Sequence, residues 1–388
     1  MGKGFTQEQE LVRRLTAKLA AEVCAGEASQ VDSSHRFPME TWKNLAALGL
    51  LRLNHSQEYG GLGFDPVMEV IVIEELSKAG LTYGAAYALL AHGFPTFVEK
   101  FGTPEQKQRF IPPILAGAEI GAFCLTEPGA GSDASGIVTS ARKCGDAYIL
   151  NGTKQFVTAG SIADVYLVIA LTSSSGQKPE YTGFLVERSR SGVRIGKSEK
   201  KMGICGLPTT EVIFDDVHVP AGNLLGGEKG IGQGLRFALA TLDAARIGTG
   251  AQALGVAQAA YESALKYASE RVQFGKPISA NQGIRWYLAE MASKLELSRL
   301  LVYHAAEVSA SASSVTKEAA MAKWVATSYG REVVNLAMQI FGGYGYMRDY
   351  PIERMYRDIR ITEIYEGTSE IMKNIIAREI LPKRPKAR

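Results

Sequence analysis

Residues 165–171 read VYLVIAL and residues 181–187 read YTGFLVE. Both runs are rich in β-branched and aromatic residues and too short for helices of a large domain, so they read as strands. SSSGQKPE, between them, reads as an exposed loop. The same texture recurs in AYILNG (147–152), QFVTAG (155–160) and TEVIFDDVHVP (210–220), each bounded by Gly, Asn, Asp or Ser. From about 122 to 236 the chain is therefore expected to form a compact antiparallel β-domain.

Both flanks of this region have a helical period. In 1–121, QEQELVRRLTAKLAAEVCAG spaces its apolar residues three and four apart, and YGGLGFDP breaks the pattern. Asp65 is placed to cap the next helix, with Pro66 at its first position, and Thr103 with Pro104 repeats the arrangement. MEVIVIEELSKAG, with Glu74 and Glu75 at its centre, is expected to be a half-buried helix with one solvated edge. In 237–388 the helices are longer, and GAQALGVAQAAYESALKYASERVQF opens what reads as a four-helix bundle. Gly342, Gly343 and Gly345 close one of these helices. The fold class is thus α+β, with three domains at 1–121, 122–236 and 237–388.

A chain of 388 residues suits two or three packed units. With 43 basic and 40 acidic residues it carries no electrostatic footprint for nucleic acid. The basic end KRPKAR reads as a solvated tail. No apolar run reaches the ~18 residues of a membrane span. The four cysteines (Cys24, Cys124, Cys144, Cys205) are scattered without a CxxC pair and read as reduced residues of a cytoplasmic chain. Five histidines without HExxH or a His/Cys cluster point to no metal site.

Three stretches carry candidate chemistry. In AFCLTEPGAGSDASG (122–136), Gly129, Ala130, Gly131 and Ser132 form a small-residue turn whose backbone N–H groups can face one anion. It lacks the Lys-Ser/Thr ending of a P-loop and is not GxGxxG, and by itself an ordinary turn explains it equally well. LDAARIG (242–248) sets Asp243 and Arg246 three apart, at what reads as a helix start, on one face; locally an ordinary ion pair is the better reading. ERVQFGKPI (270–278) offers Arg271 and Phe274 to a phosphate or a planar ligand.

Taken in order, EPGAGSD, KQFVTAG, LDAARIG, ERVQFGKPI, QIFGGYGY and RDIRITEIYEGTSEI resemble the FAD-dependent acyl-CoA dehydrogenase family over essentially the whole chain, most closely its short-chain and short/branched-chain members. The resemblance implies roles at matching positions. Phe123, Leu125, Thr126, Gly131 and Ser132 would line FAD, Ser132 also meeting the acyl-CoA; Phe156 and Thr158 would flank the flavin ring. Arg271, Phe274, Gln282, Gln339 and Gly343 would reach the FAD of a neighbouring subunit in a homotetramer built as a dimer of dimers. Thr368 and Glu370 would touch FAD, and Asp243, Arg246, Tyr365 and Gly367 would bind substrate or position the base.

Glu366 falls on the family's catalytic base. One branch carries the base on the LDAARIG helix instead, but here that position is Ala245, which takes no proton. Phe156 stands where several members have tryptophan. The implied reaction is α,β-dehydrogenation of an acyl-CoA to the trans-2-enoyl-CoA, with electrons passing to electron-transferring flavoprotein. An α-proton of a thioester needs a carboxylate whose pKa is raised by burial, and Gly367 lets the backbone N–H near Glu366 approach the enolate oxygen. Alternatives are an oxidase, an enzyme of carrier-protein-linked or alicyclic thioesters, and a helical interaction protein that has lost catalysis.

Overall fold

A computed structural model gives the fold and describes residues 4–173, 178–312 and 314–382. KRPKAR lies outside the described residues, as does part of SSSGQKPE. The N-terminal helices are α1 (Gln7–Leu19), α2 (Ala25–Ser34), α3 (Met39–Ala47), α4 (Pro66–Ala79), α5 (Leu81–Ala86), α6 (Phe94–Phe101) and α7 (Pro104–Leu115). Single π-helical stretches, Ala20–Cys24 and Tyr87–Gly93, interrupt the run. The caps are those the sequence predicts. Asp65 Oδ1 accepts from the N–H groups of Val67 (2.9 Å) and Met68 (3.1 Å), and Thr103 forms a reciprocal box with Gln106.

The strands follow: β1 (Gly121–Cys124), β2 (Ser140–Cys144), β3 (Ala147–Thr158), β4 (Val165–Ser173), β5 (Glu180–Glu187), β6 (Val193–Ser198) and β7 (Thr209–Pro220). A middle β-domain is present as expected, but its sheet is not wholly antiparallel. β4 pairs antiparallel with β5 along one edge, while its other edge is shared by β1 (Gly121↔Val165) and β2 (Ser140↔Leu171), both parallel to it. The β2–β3 hairpin and β7–β6 continue the sheet in antiparallel pairs. Because β2–β3 lies between β1 and β4 in the chain, β4 returns alongside β1 by a crossover, which permits parallel pairing. The β3–β7 ladder slips between Lys154 and Val157, where β3 carries one extra residue.

The C-terminal part holds α8 (Gly234–Glu270), the hairpin β8 (Val272–Gln273) and β9 (Lys276–Pro277), α9 (Gln282–Ser309), α10 (Thr316–Phe341), α11 (Ile352–Ile359) and α12 (Ser369–Ile380). The architecture is the expected one, with α11 as a short extra helix beside the four longer ones. By contacts the chain forms two compact units. One takes the described residues of Met1–Ala20, Val70–Leu81 and Asp243–Arg388, the other Ala21–Glu69 and Thr82–Leu242.

In the second unit the core gathers Phe94, Val98, Ile111, Ile114, Leu167, Leu185 and Leu225 between helix and sheet. Each fully buried aliphatic or aromatic side chain there contributes about 1.5–3 kcal/mol. In the first unit α8 packs so closely on α4 that a Cβ at Gly255 would strike the carbonyl oxygen of Glu74. The expected solvated edge of α4 is absent: Glu74 and Glu75 are only 3% and 6% exposed. Glu74 is paired with Arg299 and accepts from the Tyr303 hydroxyl at 2.8 Å, and Glu75 accepts from Lys78 at 2.9 Å. These partners satisfy carboxylates that would otherwise need water.

Candidate active site

In the unit that holds the C-terminal helices, the chain between Ile359 and α12 turns sharply. Glu366 and Gly367 both have left-handed backbones, φ +54° and +97°. That conformation suits glycine and costs most other residues, so a glutamate held there is held by its surroundings. A side chain at 367 would bring Cβ to 2.7 Å from Met372 Cε, the movable end of a flexible side chain, so it is the left-handed backbone more than lack of space that calls for glycine here.

Glu366 is half-buried. Burial pushes its pKa up, and the positive charges of Lys323 and Arg246 pull part of the way back. Arg246 is buried on α8 and donates through Nη1 to Asp243 Oδ1 at 2.7 Å, while Thr316 donates to Asp243 Oδ2 at 2.6 Å. The i,i+3 ion pair is therefore real, but it lies well inside α8, which starts at Gly234, not at a helix start. Burial lowers the Arg246 pKa against the opposing charges of Asp243 and Glu366. Its Nε, also buried, has no partner among the described residues. The Tyr365 hydroxyl donates to Gln252 Oε1, and burial raises its pKa. Thr368 caps α12, accepting from Ile371 N–H at 3.3 Å; Glu370 is exposed, and the buried Ser369 hydroxyl has no partner among the described residues.

In the other unit, β1 and the loop after it hold the first candidate set. Phe123 and Leu125 are half-buried, Phe123 stacking on Phe97 at 4.6 Å; Gly131 and Ser132 are exposed and Thr126 is half-buried. Glu127 closes the loop. It accepts from Val138 N–H (2.7 Å), Thr139 N–H (3.0 Å) and Lys154 Nζ (2.7 Å), and Lys154 also donates to the Leu125 carbonyl (2.9 Å). The slip in β3 puts Phe156 in a left-handed conformation with its ring 57% exposed, next to half-buried Thr158. An exposed aromatic face beside a hydroxyl and an open glycine loop fits a planar, phosphate-bearing group such as FAD.

The C-terminal candidates also divide. Arg271 and Gly343 line a cleft of about 490 Å³ with Tyr267, Phe341, Tyr344 and Met347, and Arg271 lies 5.4 Å from the Tyr344 ring centre. Phe274 sits at the hairpin tip, 97% exposed with φ +52°, while Gln282 and Gln339 are exposed outside the cleft lining. No cluster able to hold a metal occurs among the described residues.

Lys323, Gln252, Glu127 and Lys154 were not picked out from sequence. Lys323 had a legible signal: it shares a helix face with Ala319, Ala320, Ala326 and Thr327, a small-residue face that is buried.

Three family patterns match: "Acyl-CoA dehydrogenase, N-terminal domain" over residues 6–118, the middle domain over 122–217 and the C-terminal domain over 232–381. The chain is 46% identical to an acryloyl-CoA reductase (NADH) of Anaerotignum propionicum, across 98% of this chain and 96% of the relative. It is 41% identical to a short-chain specific acyl-CoA dehydrogenase of Clostridium acetobutylicum, across 98% and 100%. The structure of butyryl-CoA dehydrogenase from Megasphaera elsdenii superposes with a TM-score of 0.95 at 39% identity, covering 98% of this chain and all of that one. Among the described residues no helix is long and apolar enough to cross a membrane.

Proposed function

Because the chain belongs to the acyl-CoA dehydrogenase family, whose members are FAD-dependent oxidoreductases, we propose that it dehydrogenates a short or short-branched acyl-CoA with Glu366 as base. The observation that carries this is the half-buried Glu366 on a left-handed turn, its proton affinity raised by burial beside two cations.

The Glu366 carboxylate takes the α-proton of the thioester onto one of its oxygens. Arg246, fixed by Asp243, keeps that carboxylate aimed, and Tyr365 with Gly367 packs against the acyl group. The Glu366 backbone N–H donates to the thioester oxygen as charge develops there. Bound FAD would supply the acceptor chemistry for the β-hydride. In the unit that holds the sheet, Phe123, Leu125, Thr126, Gly131, Ser132, Phe156 and Thr158 would hold it, Ser132 also meeting the acyl-CoA; Thr368 and Glu370, in the unit of the C-terminal helices, are FAD residues by the family resemblance alone. Glu127 and Lys154 keep the first loop in shape.

Electrons pass to electron-transferring flavoprotein, and the protein works in the cytoplasm as a homotetramer. The exposed Phe274 and the Arg271–Gly343 cleft support a second copy there, with Gln282 and Gln339 meeting its FAD. We keep domain limits at 1–121, 122–236 and 237–388. A second reading runs the same site backwards: the relative named as a reductase favours it, and a base that removes an α-proton can return it.

Anaerobic butyryl-CoA should bleach the bound flavin, and Glu366→Gln should stay yellow while losing bleaching by ~10²-fold or more. Protein that remains colourless after reconstitution with FAD defeats the proposal. Reoxidation of the reduced flavin by an enoyl-CoA, faster than by electron-transferring flavoprotein, would favour the reverse direction.

A further inference from the structure

Lys323 is 1% exposed, on α10, among Ala319, Ala320, Ala322 and Ala326, all closed to solvent. Burying an ammonium costs folding free energy unless a carboxylate pairs with it. No carboxylate forms an ion pair with Lys323 among the described residues. Its Nζ instead donates to the carbonyl oxygen of Gly367, the residue after the base. Tying down a carbonyl does not by itself call for a buried charge, since a neutral amide or hydroxyl would do it at lower cost. The charge must therefore be of use where it lies.

We propose that Lys323 is a positioning residue for the base: its ammonium holds the left-handed Glu366–Gly367 turn through the Gly367 carbonyl and supplies a positive charge that keeps the Glu366 carboxylate ionised. This rests on the reading of Glu366 as base.

The groups around it are consistent with that role. Glu366 faces Lys323 from α10 and Arg246 from α8, with Tyr365 beside it in the chain. Lys323 in turn faces Glu366, Arg246 and Glu363, the last on the short turn before the base. Asp243 on α8 neutralises part of Arg246, and Arg378 on α12 adds a more distant positive charge. Burial pushes the Lys323 ammonium down to about 8, so it still carries its charge at neutral pH.

The test is the pH profile of anaerobic butyryl-CoA bleaching in the flavin-loaded enzyme. Lys323→Met and Lys323→Gln are expected to keep bound flavin, to move the acid limb of the profile up by about one pH unit or more, and to lower its plateau about tenfold. Lys323→Arg, which keeps the charge, should hold the limb within about 0.3 unit. The Gln variant can still donate to the carbonyl, so it tests the charge even where the Met protein fails to fold. An unmoved limb with a plateau within about twofold of wild type overturns the inference. So does failure of both neutral variants to fold, which would make the lysine a structural tie. Glu366→Gln separates the two readings: bleaching that survives it removes the base itself, whereas a dead Glu366→Gln beside an unaffected Lys323 series removes only the lysine's role.

Discussion

Lys154 Nζ lies 2.7 Å from Glu127 Oε1, and both side chains are shut away from solvent. The pair joins β3 to the loop after β1, because the same lysine also donates to the Leu125 carbonyl. Burial pushes the Glu127 carboxyl up, but the hydrogen bonds from Lys154, Thr139 and Val138 win and hold it below its usual value. Lys154→Met should cost about 3–5 kcal/mol, since it leaves Glu127 buried without its partner. A urea midpoint reads the loss, and flavin content should fall with it. Changing Glu127 to Met as well should not restore stability, because two backbone N–H groups then lose their acceptor.

Glu366 makes the opposite contribution. In the unfolded chain a glutamate gives up its proton near pH ~4.3, whereas in the folded protein burial retains it to higher pH. The stability gained from that tighter proton is full below the unfolded value and is lost as pH rises through the folded one. Glu366→Gln should therefore raise Tm above wild type at pH 8, with the difference closing below about pH 4. A variant no more stable at pH 8 than wild type would contradict this. The activity lost and the stability gained belong to the same carboxylate.

Phe274 is almost fully exposed on a hairpin tip in a backbone conformation few side chains adopt. In the proposed homotetramer this ring would meet a partner surface. If the proposed tetramer forms through it, Phe274→Asp should lower the mass seen by light scattering towards that of a dimer and reduce retained flavin, while the Tm of the subunit falls little. An unchanged mass would place the ring outside any interface.

Features set by neighbours in the chain were legible in sequence. Asp65 and Thr103 read as caps because a cap needs only a side chain and the next three N–H groups. Features set by distant partners were not. Glu74 and Glu75 suggested a solvated edge because Arg299 and Tyr303, which satisfy Glu74, lie 225 and 229 residues away. The parallel edges of β4 were hidden for the same reason, since strand direction follows from a crossover rather than from the alternation within a strand. The candidate base and its arginine were found through ordered motifs; Lys323 stood on a legible small-residue face, but its role was hidden because its carbonyl partner is 44 residues on and carries no side chain to signal it.

The extra residue in β3 limits how this gene can vary. In a regular strand Lys154 and Phe156 would point to the same side, yet one is sealed in and the other projects outward. Deleting a single codon between them would restore even pairing and leave Phe156 on the outward face, but it would remove the extra residue that goes with the left-handed backbone aiming its ring. Descendants of this sequence should therefore keep the number of residues between Lys154 and Val157, and a strand segment transplanted from a relative will aim the ring the same way only if it carries that number.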